Sequence, residues 1–248
     1  MFKFFCVGIG QLLTFAALVL VILANVGQLT NNIVARNIRF VSLDTTGLQD
    51  AISRSGGAAP NNLYASDQRS TIAAGNGIKR DYQWGLYNYC GGEPSGSNRD
   101  CVDSTFNFKW DPVNALLADT PQGARNEVQS FLPQNTFTDS DYLRKYSQAA
   151  FWLIFIGTIL TGLAWLTGFT ANRFGFFGAA IFAFLAALAL GVGAAIETAI
   201  YTKARDAIGN QYGLNLDYGN ALWFIWAAFV GCVLSIVPYL ISCCTGRD

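Results

Sequence analysis

The 248-residue chain contains no histidine. That removes histidine-based catalytic triads, imidazole metal sites and the commonest side-chain switch near neutral pH. Charge is also scarce: 13% of residues are Asp, Glu, Lys or Arg, about half of the roughly 25% usual in soluble domains. Basic and acidic residues, 16 of each, cancel to a net charge of +0. No basic patch marks a nucleic-acid surface. No Asn-x-Ser/Thr triplet occurs in residues 30–147, so ordinary N-glycosylation is not expected there.

The missing charge is concentrated. None occurs between Lys3 and Arg36, Lys145 and Arg173, Arg173 and Glu197, or Asp217 and Arg247. Each interval holds a run long enough to cross a bilayer, which takes about 20 apolar residues. The runs predict spans near residues 6–28, 148–170, 174–200 and 220–242. The first reads as an uncleaved anchor, because its apolar run from Leu12 to Val26 is long and no small-x-small cleavage site precedes Asn25. Four spans put both termini on one side, with polar loops 30–147 and 202–219 on the other. The expected organisation is a single domain over residues 1–248.

The third span is dense in Ala and Gly, including Gly191 and Gly193. Small residues let helix backbones approach closely, so it is expected at the centre of the bundle. Trp152, Trp165, Trp223 and Trp226 near span ends fit interfacial belts. Thr14 and Asn25 are expected to bond helix neighbours. Glu197 is the only carboxylate within a proposed span. It is expected at the outer interface, solvated, one turn before Tyr201. With no row of acids, broken helix or inverted repeat, a transport pathway is not supported.

In the large loop, Asn37–Leu43 alternates like a strand. Residues 44–80, rich in Ser, Gly, Asn and Ala, read as a mobile excursion. Tyr82–Tyr89 reads as a second strand, Gly91–Arg99 as a turn and Thr105–Trp110 as a third strand. Pro112, suited to a first helical position, opens a short helix through Leu117, and Asn126–Leu132 suggests another.

The six cysteines divide by position. Cys90 and Cys101 lie in the polar loop around a turn-rich segment, where a disulfide is sterically feasible; two free thiols are the alternative. A disulfide requires an oxidising compartment, which puts the large loop outside and both termini in the cytosol. The basic residues flanking the spans point the other way, but long loops translocate largely regardless of charge. Cys243 and Cys244, beside the last span, are candidates for acylation, with unmodified thiols as the alternative.

The run Trp84-Gly85-Leu86-Tyr87-x-x-Cys90, followed by Cys101, resembles the Trp…Gly-Leu-Trp…Cys…Cys signature of claudin-type four-span proteins. With Phe108-Lys-Trp-Asp-Pro112, and with Asn37–Leu43 running into Asp44-Thr-Thr-Gly-Leu48, the chain is more similar to the fungal Sur/PalI branch. The resemblance covers nearly the whole chain. It departs at Tyr87, where the claudin-type signature has Trp, and in ending about six residues past the last span, where many members carry a long cytosolic tail.

The resemblance implies a four-helix transmembrane bundle with a small disulfide-clipped extracellular β-sheet cap in a fungal plasma membrane. Arg144 resembles the arginine that helps anchor that cap. Family members organise static membrane compartments of the eisosome type and influence cell-wall assembly, endocytosis or ambient-pH signalling. The expectation is a non-enzymatic organiser without a cofactor. Its partners would be membrane lipids (a sterol or sphingolipid among them), other membrane proteins or itself, and not nucleic acid. The alternative is an accessory subunit of a larger complex, such as a wall-polymer synthase or an ion pump. Trp84, Gly85, Leu86 and Tyr87 are expected to scaffold the cap rather than to bind a partner.

Overall fold

The structure is a computed structural model. It describes the chain except residues 1, 31–32, 57–61, 95–98, 134–138, 171–172 and 245–248; for residues 2–6, 33, 210, 243 and 244 it describes the backbone alone. In chain order the elements are α1 (Phe2–Val26), α2 (Ile33–Asn37), β1 (Val41–Asp44), α3 (Leu48–Arg54), β2 (Asp81–Trp84), β3 (Tyr89–Gly92), β4 (Arg99–Cys101), α4 (Pro112–Asp119), α5 (Arg125–Phe131), α6 (Ser140–Thr167), α7 (Arg173–Ile208), β5 (Asn215–Tyr218) and α8 (Asn220–Cys244). They divide into two compact units. One comprises Met1–Asn25, Ala149–Ile196 and Ala221–Asp248, and the other Val26–Gln148 and Glu197–Asn220.

The first unit is helical. Among the described residues four helices, α1, α6, α7 and α8, are long and apolar enough to cross a membrane. The Ala- and Gly-rich α7 is the most enclosed: 50% of its most apolar window is buried, against 28–33% in the others. Its glycines explain why. A Cβ on Gly191 would meet the Phe229 ring of α8 at 2.9 Å, and one on Gly193 would meet Ile154 of α6 at 3.0 Å. A larger residue would force those neighbouring side chains to shift. Side-chain hydrogen bonds also link spans in the apolar interior. The Thr14 and Tyr239 hydroxyls lie 2.9 Å apart, and Asn25 Nδ2 donates to Thr158 Oγ1 at 3.0 Å.

The second unit is built on an antiparallel five-stranded sheet in the order β4-β3-β2-β1-β5. The register pairs Leu43 with Tyr82 and Val41 with Trp84, Leu43 with Leu216, and Trp84 with Tyr89. Strand alternation therefore sends Val41, Leu43, Tyr82, Trp84, Tyr89 and Leu216 to one face. Ser42, Asp81, Gln83, Cys90, Arg99 and Cys101 fall on the other. The aromatic face is the core of this unit: Tyr82, Leu43, Trp84 and Leu216 are each at most 1% exposed.

Several expectations for the loop are corrected. Asn37 ends a helix, and the strand runs over Val41–Asp44 instead of Asn37–Leu43. The Gln28 amide donates to the Arg36 and Ile38 carbonyls, at 2.9 and 3.0 Å, and so takes acceptors that a strand ladder would need. Tyr82–Tyr89 is two strands, not one, with a turn closed by Gly85 N–H donating to Asn88 O at 2.9 Å. Thr105–Trp110 is irregular; its Trp110 N–H donates to the Ser147 hydroxyl rather than to a strand. The third hairpin strand is Arg99–Cys101, too short and polar to show alternation. The sheet-edge strand Asn215–Tyr218, in the smaller loop, was not expected at all. The helices expected through Leu117 and over Asn126–Leu132 form as Pro112–Asp119, capped by Asp111, and Arg125–Phe131.

Residues 44–80 also depart from the expected excursion, since most of the described part is packed. Helix α3 buries Leu48, Ala51 and Ile52, and Leu63, Ala65, Ile72 and Ile78 are at most 6% exposed. Lys79 is fully buried, with its ammonium donating to Ser70 O at 2.6 Å and Ser70 Oγ at 2.7 Å. The glycines in this stretch permit tight packing: a Cβ on Gly77 would lie 2.3 Å from the Ala65 nitrogen.

Candidate functional site

The Trp84–Cys101 segment forms the β2–β3–β4 hairpins. Trp84 is 1% exposed. Its ring packs 6.0 Å from Tyr82, 5.9 Å from Tyr89 and, edge-on, 6.3 Å from Trp110. Trp110 in turn meets Tyr201 at 4.8 Å. Gly85 is required by close approach: a Cβ there would lie 2.5 Å from Gly27 O and 2.9 Å from Gln28 Cβ. Asn88 Nδ2 donates to Gln28 O at 2.9 Å, which ties the turn to the same segment. Leu86 is buried and Tyr87 half-buried. The four motif residues thus occupy the core and turn of the hairpin.

Cys90 and Cys101 form a disulfide across β3 and β4, with Cα atoms 4.0 Å apart. They are directly opposed in the register, where the narrow, non-hydrogen-bonded pairs of an antiparallel ladder bring side chains together. On the same face Asp81, Gly92 and Arg99 line up across three strands. Gly92 has no side chain, so Arg99 reaches over it. Its Nη2 lies 2.6 Å from Asp81 Oδ2, with the two side chains 2% and 9% exposed. Gln83 Nε2 donates to the same oxygen at 3.0 Å. Burial pushes the Asp81 carboxyl up to about 6, against the pull of the Arg99 and Arg39 charges. Burial also lowers Arg99. Such a pair adds specificity more reliably than stability, because both charges have left water.

A second buried acid organises the opposite face. Asp119 Oδ2 accepts from the Tyr82 hydroxyl at 2.8 Å and Oδ1 from Ala73 N–H at 2.6 Å. Burial raises its carboxyl above the usual range, opposed by those hydrogen bonds and by Lys79. Burial in turn lowers Lys79, with Asp119 opposing. Glu197 also departs from its expected solvated position. It is 3% exposed, the Tyr201 hydroxyl reaches one oxygen, and Oε2 has no partner.

A concavity of the second unit is lined in part by Tyr89. It is a cleft with two lobes, of about 360 and 320 Å³, that share the wall Asp111, Asn114 and Arg144. Tyr89, Asn107, Phe108 and Lys109 line the larger lobe. Asp111 Oδ1 caps α4 by accepting Asn114 N–H, and it also accepts from Ser140 Oγ, both at 3.1 Å. Asn107 Oδ1 is buried without a partner. The Arg144 guanidinium makes no ion pair among the described residues. The start of α6 is tied down by Ser147, whose hydroxyl accepts Trp110 N–H at 3.0 Å and donates to Arg144 O at 3.1 Å. The cleft escaped sequence reading because Asn107, Asn114 and Arg144 form no motif along the chain. Cys243 and Cys244 end α8, but their side chains lie outside the described residues.

A family model described as SUR7/PalI family matches residues 6–238, which span both units. The chain belongs to the SUR7/PalI family. No curated protein matches it in sequence. This SUR7/PalI member therefore combines a four-helix membrane bundle with a disulfide-clipped antiparallel sheet. Its Trp84–Tyr87 motif belongs to the framework of that sheet.

Proposed function

We propose that this SUR7/PalI protein is a non-enzymatic organiser of a fungal plasma-membrane compartment of the eisosome type. The disulfide-clipped sheet faces the cell exterior and both termini lie in the cytosol. The family match carries the reading, since it takes in both the bundle and the sheet unit. The Cys90–Cys101 disulfide supports the sidedness, because such bonds persist in oxidising compartments. Large apolar side chains remain exposed on the candidate spans, among them Leu12, Phe184, Trp223 and Val237. They supply the faces through which lipids, other membrane proteins or further copies of the chain would pack. Effects on wall assembly and endocytosis would follow from which proteins are held in the patch.

The test is a fluorescently tagged chain at native abundance. The organiser reading expects long-lived patches that recover slowly after photobleaching, and neighbouring patch proteins that disperse when the chain is removed. Uniform, freely exchanging fluorescence with undisturbed neighbours sinks it. Purification at fixed stoichiometry with one enzyme or pump would replace it with the accessory-subunit reading.

A further inference from the structure

The two-lobed cleft beside Tyr89 has the make-up of a ligand site. Its volumes, about 360 and 320 Å³, fall at the small end of the range of roughly 300–1,000 Å³ found for small-molecule sites. Its polar groups are mixed in kind. Asp111 uses Oδ1 for two internal bonds, and Oδ2 makes none among the described residues. The Asn114 side chain is exposed on the shared wall, and Arg144 brings guanidinium donors with no acidic partner there. The Phe108 ring, 6.1 Å from Tyr89, gives the larger lobe an aromatic surface.

Three ligand chemistries can be weighed against this set. A phosphate would find Arg144 and Lys109, but it would also meet the Asp111 carboxylate on the wall shared by both lobes. An apolar ligand would leave Asp111 and Arg144 unpaired, which is costly. A sugar fits both halves of the lining. Its hydroxyls each donate and accept, matching alternating amide, carboxylate and guanidinium groups. The C–H face of its ring suits an aromatic surface. We propose that this cleft binds a neutral saccharide, one residue per lobe, with Asp111, Asn114 and Arg144 gripping hydroxyls at the junction. Arg144 thereby faces a ligand, where the family resemblance assigns it to anchoring. The proposal adds a glycan contact to the organiser reading and is independent of it: binding is measured on dispersed protein, whereas organisation is measured by patch formation.

The experiment titrates the full chain in detergent micelles with chitohexaose, laminarihexaose and mannohexaose, and separately with inorganic phosphate. Saturable binding of at least one hexaose is expected, weakened tenfold or more in Asn114→Ala and in Arg144→Gln. Both variants should keep the Cys90–Cys101 disulfide and the parent unfolding midpoint. Asn114 is exposed on a helix, and Arg144 makes no ion pair among the described residues. No saturable binding of any hexaose overturns the proposal. So does binding unchanged in both folded variants, or saturable binding of phosphate alone.

Discussion

The pair Asp81–Arg99 predicts an unusual pH dependence for the sheet unit. Burial holds the Asp81 carboxyl at about 6, against an ordinary value of 3.8. An acid raised in the folded state keeps its proton more readily there than in the unfolded chain. Between pH 3.8 and about 6 the folded state therefore binds more protons, and stability falls as pH rises through that window. The contribution is fully present below the unfolded value and is gone above about 6. This is the reverse of the usual salt-bridged carboxylate, whose contribution is lost on acidification. A shift of about two units corresponds to about 3 kcal/mol, or roughly a hundredfold in the local opening constant. Asp119 is raised by burial as well and adds in the same direction. Hydrogen–deuterium exchange of residues 81–92, corrected for intrinsic rates and followed from pH 4 to 7.5, reads the effect directly. Protection should decline toward neutral pH in the parent protein and decline much less in Asp81→Asn. Protection that grows toward neutral pH, or a slope unchanged in Asp81→Asn, would refute the reasoning.

Other perturbations probe the same unit. Replacing both Cys90 and Cys101 by Ser removes a bond closing a loop of sequence separation 11, which should cost about 3 kcal/mol by loop-entropy reasoning; an unfolding midpoint equal to the parent's would show the clip adds nothing. Trp84→Ala, at a site 1% exposed, should destabilise by about 3–5 kcal/mol, seen as loss of protease resistance in residues 26–148. Gly85→Ala, whose Cβ would lie 2.5 Å from Gly27 O, should also destabilise although it adds one methyl group; an unchanged midpoint would mean that the close approach is not required. Glu197→Gln should leave stability equal or raise it by about 1 kcal/mol, because it removes a buried carboxyl whose Oε2 has no partner; a marked loss of stability in thermal unfolding would show that the carboxylate has a partner worth keeping.

The bundle was largely legible because its signal is additive along the chain. Charge-free runs between Lys3 and Arg36 or Asp217 and Arg247 report a span without any knowledge of partners. The small residues of the third span likewise foretold close packing, which Gly191 against Phe229 bears out. Strand boundaries were less legible. Gly85 ends β2 because of a backbone far earlier in the chain, at Gly27, and β5 exists because Leu43 supplies it with a partner. Residues 44–80 read as an excursion because Ser, Gly and Asn predominate, yet the buried side chains of Leu63, Ile72 and Ile78 outweigh that composition.

The sequence by itself determined a membrane protein with four spans, the short helices opening at Pro112 and near residues 126–132, the cysteine pair and the family. Each rests on local composition, on cap chemistry or on a contiguous motif. Only the tertiary structure decided which face each sheet residue takes, that Arg99 crosses Gly92 to meet Asp81, and that Glu197 is buried against Tyr201. It alone brought Asn107, Asn114 and Arg144 to one cleft. Burial and long-range pairing depend on where distant segments meet, and no stretch of chain carries that information alone.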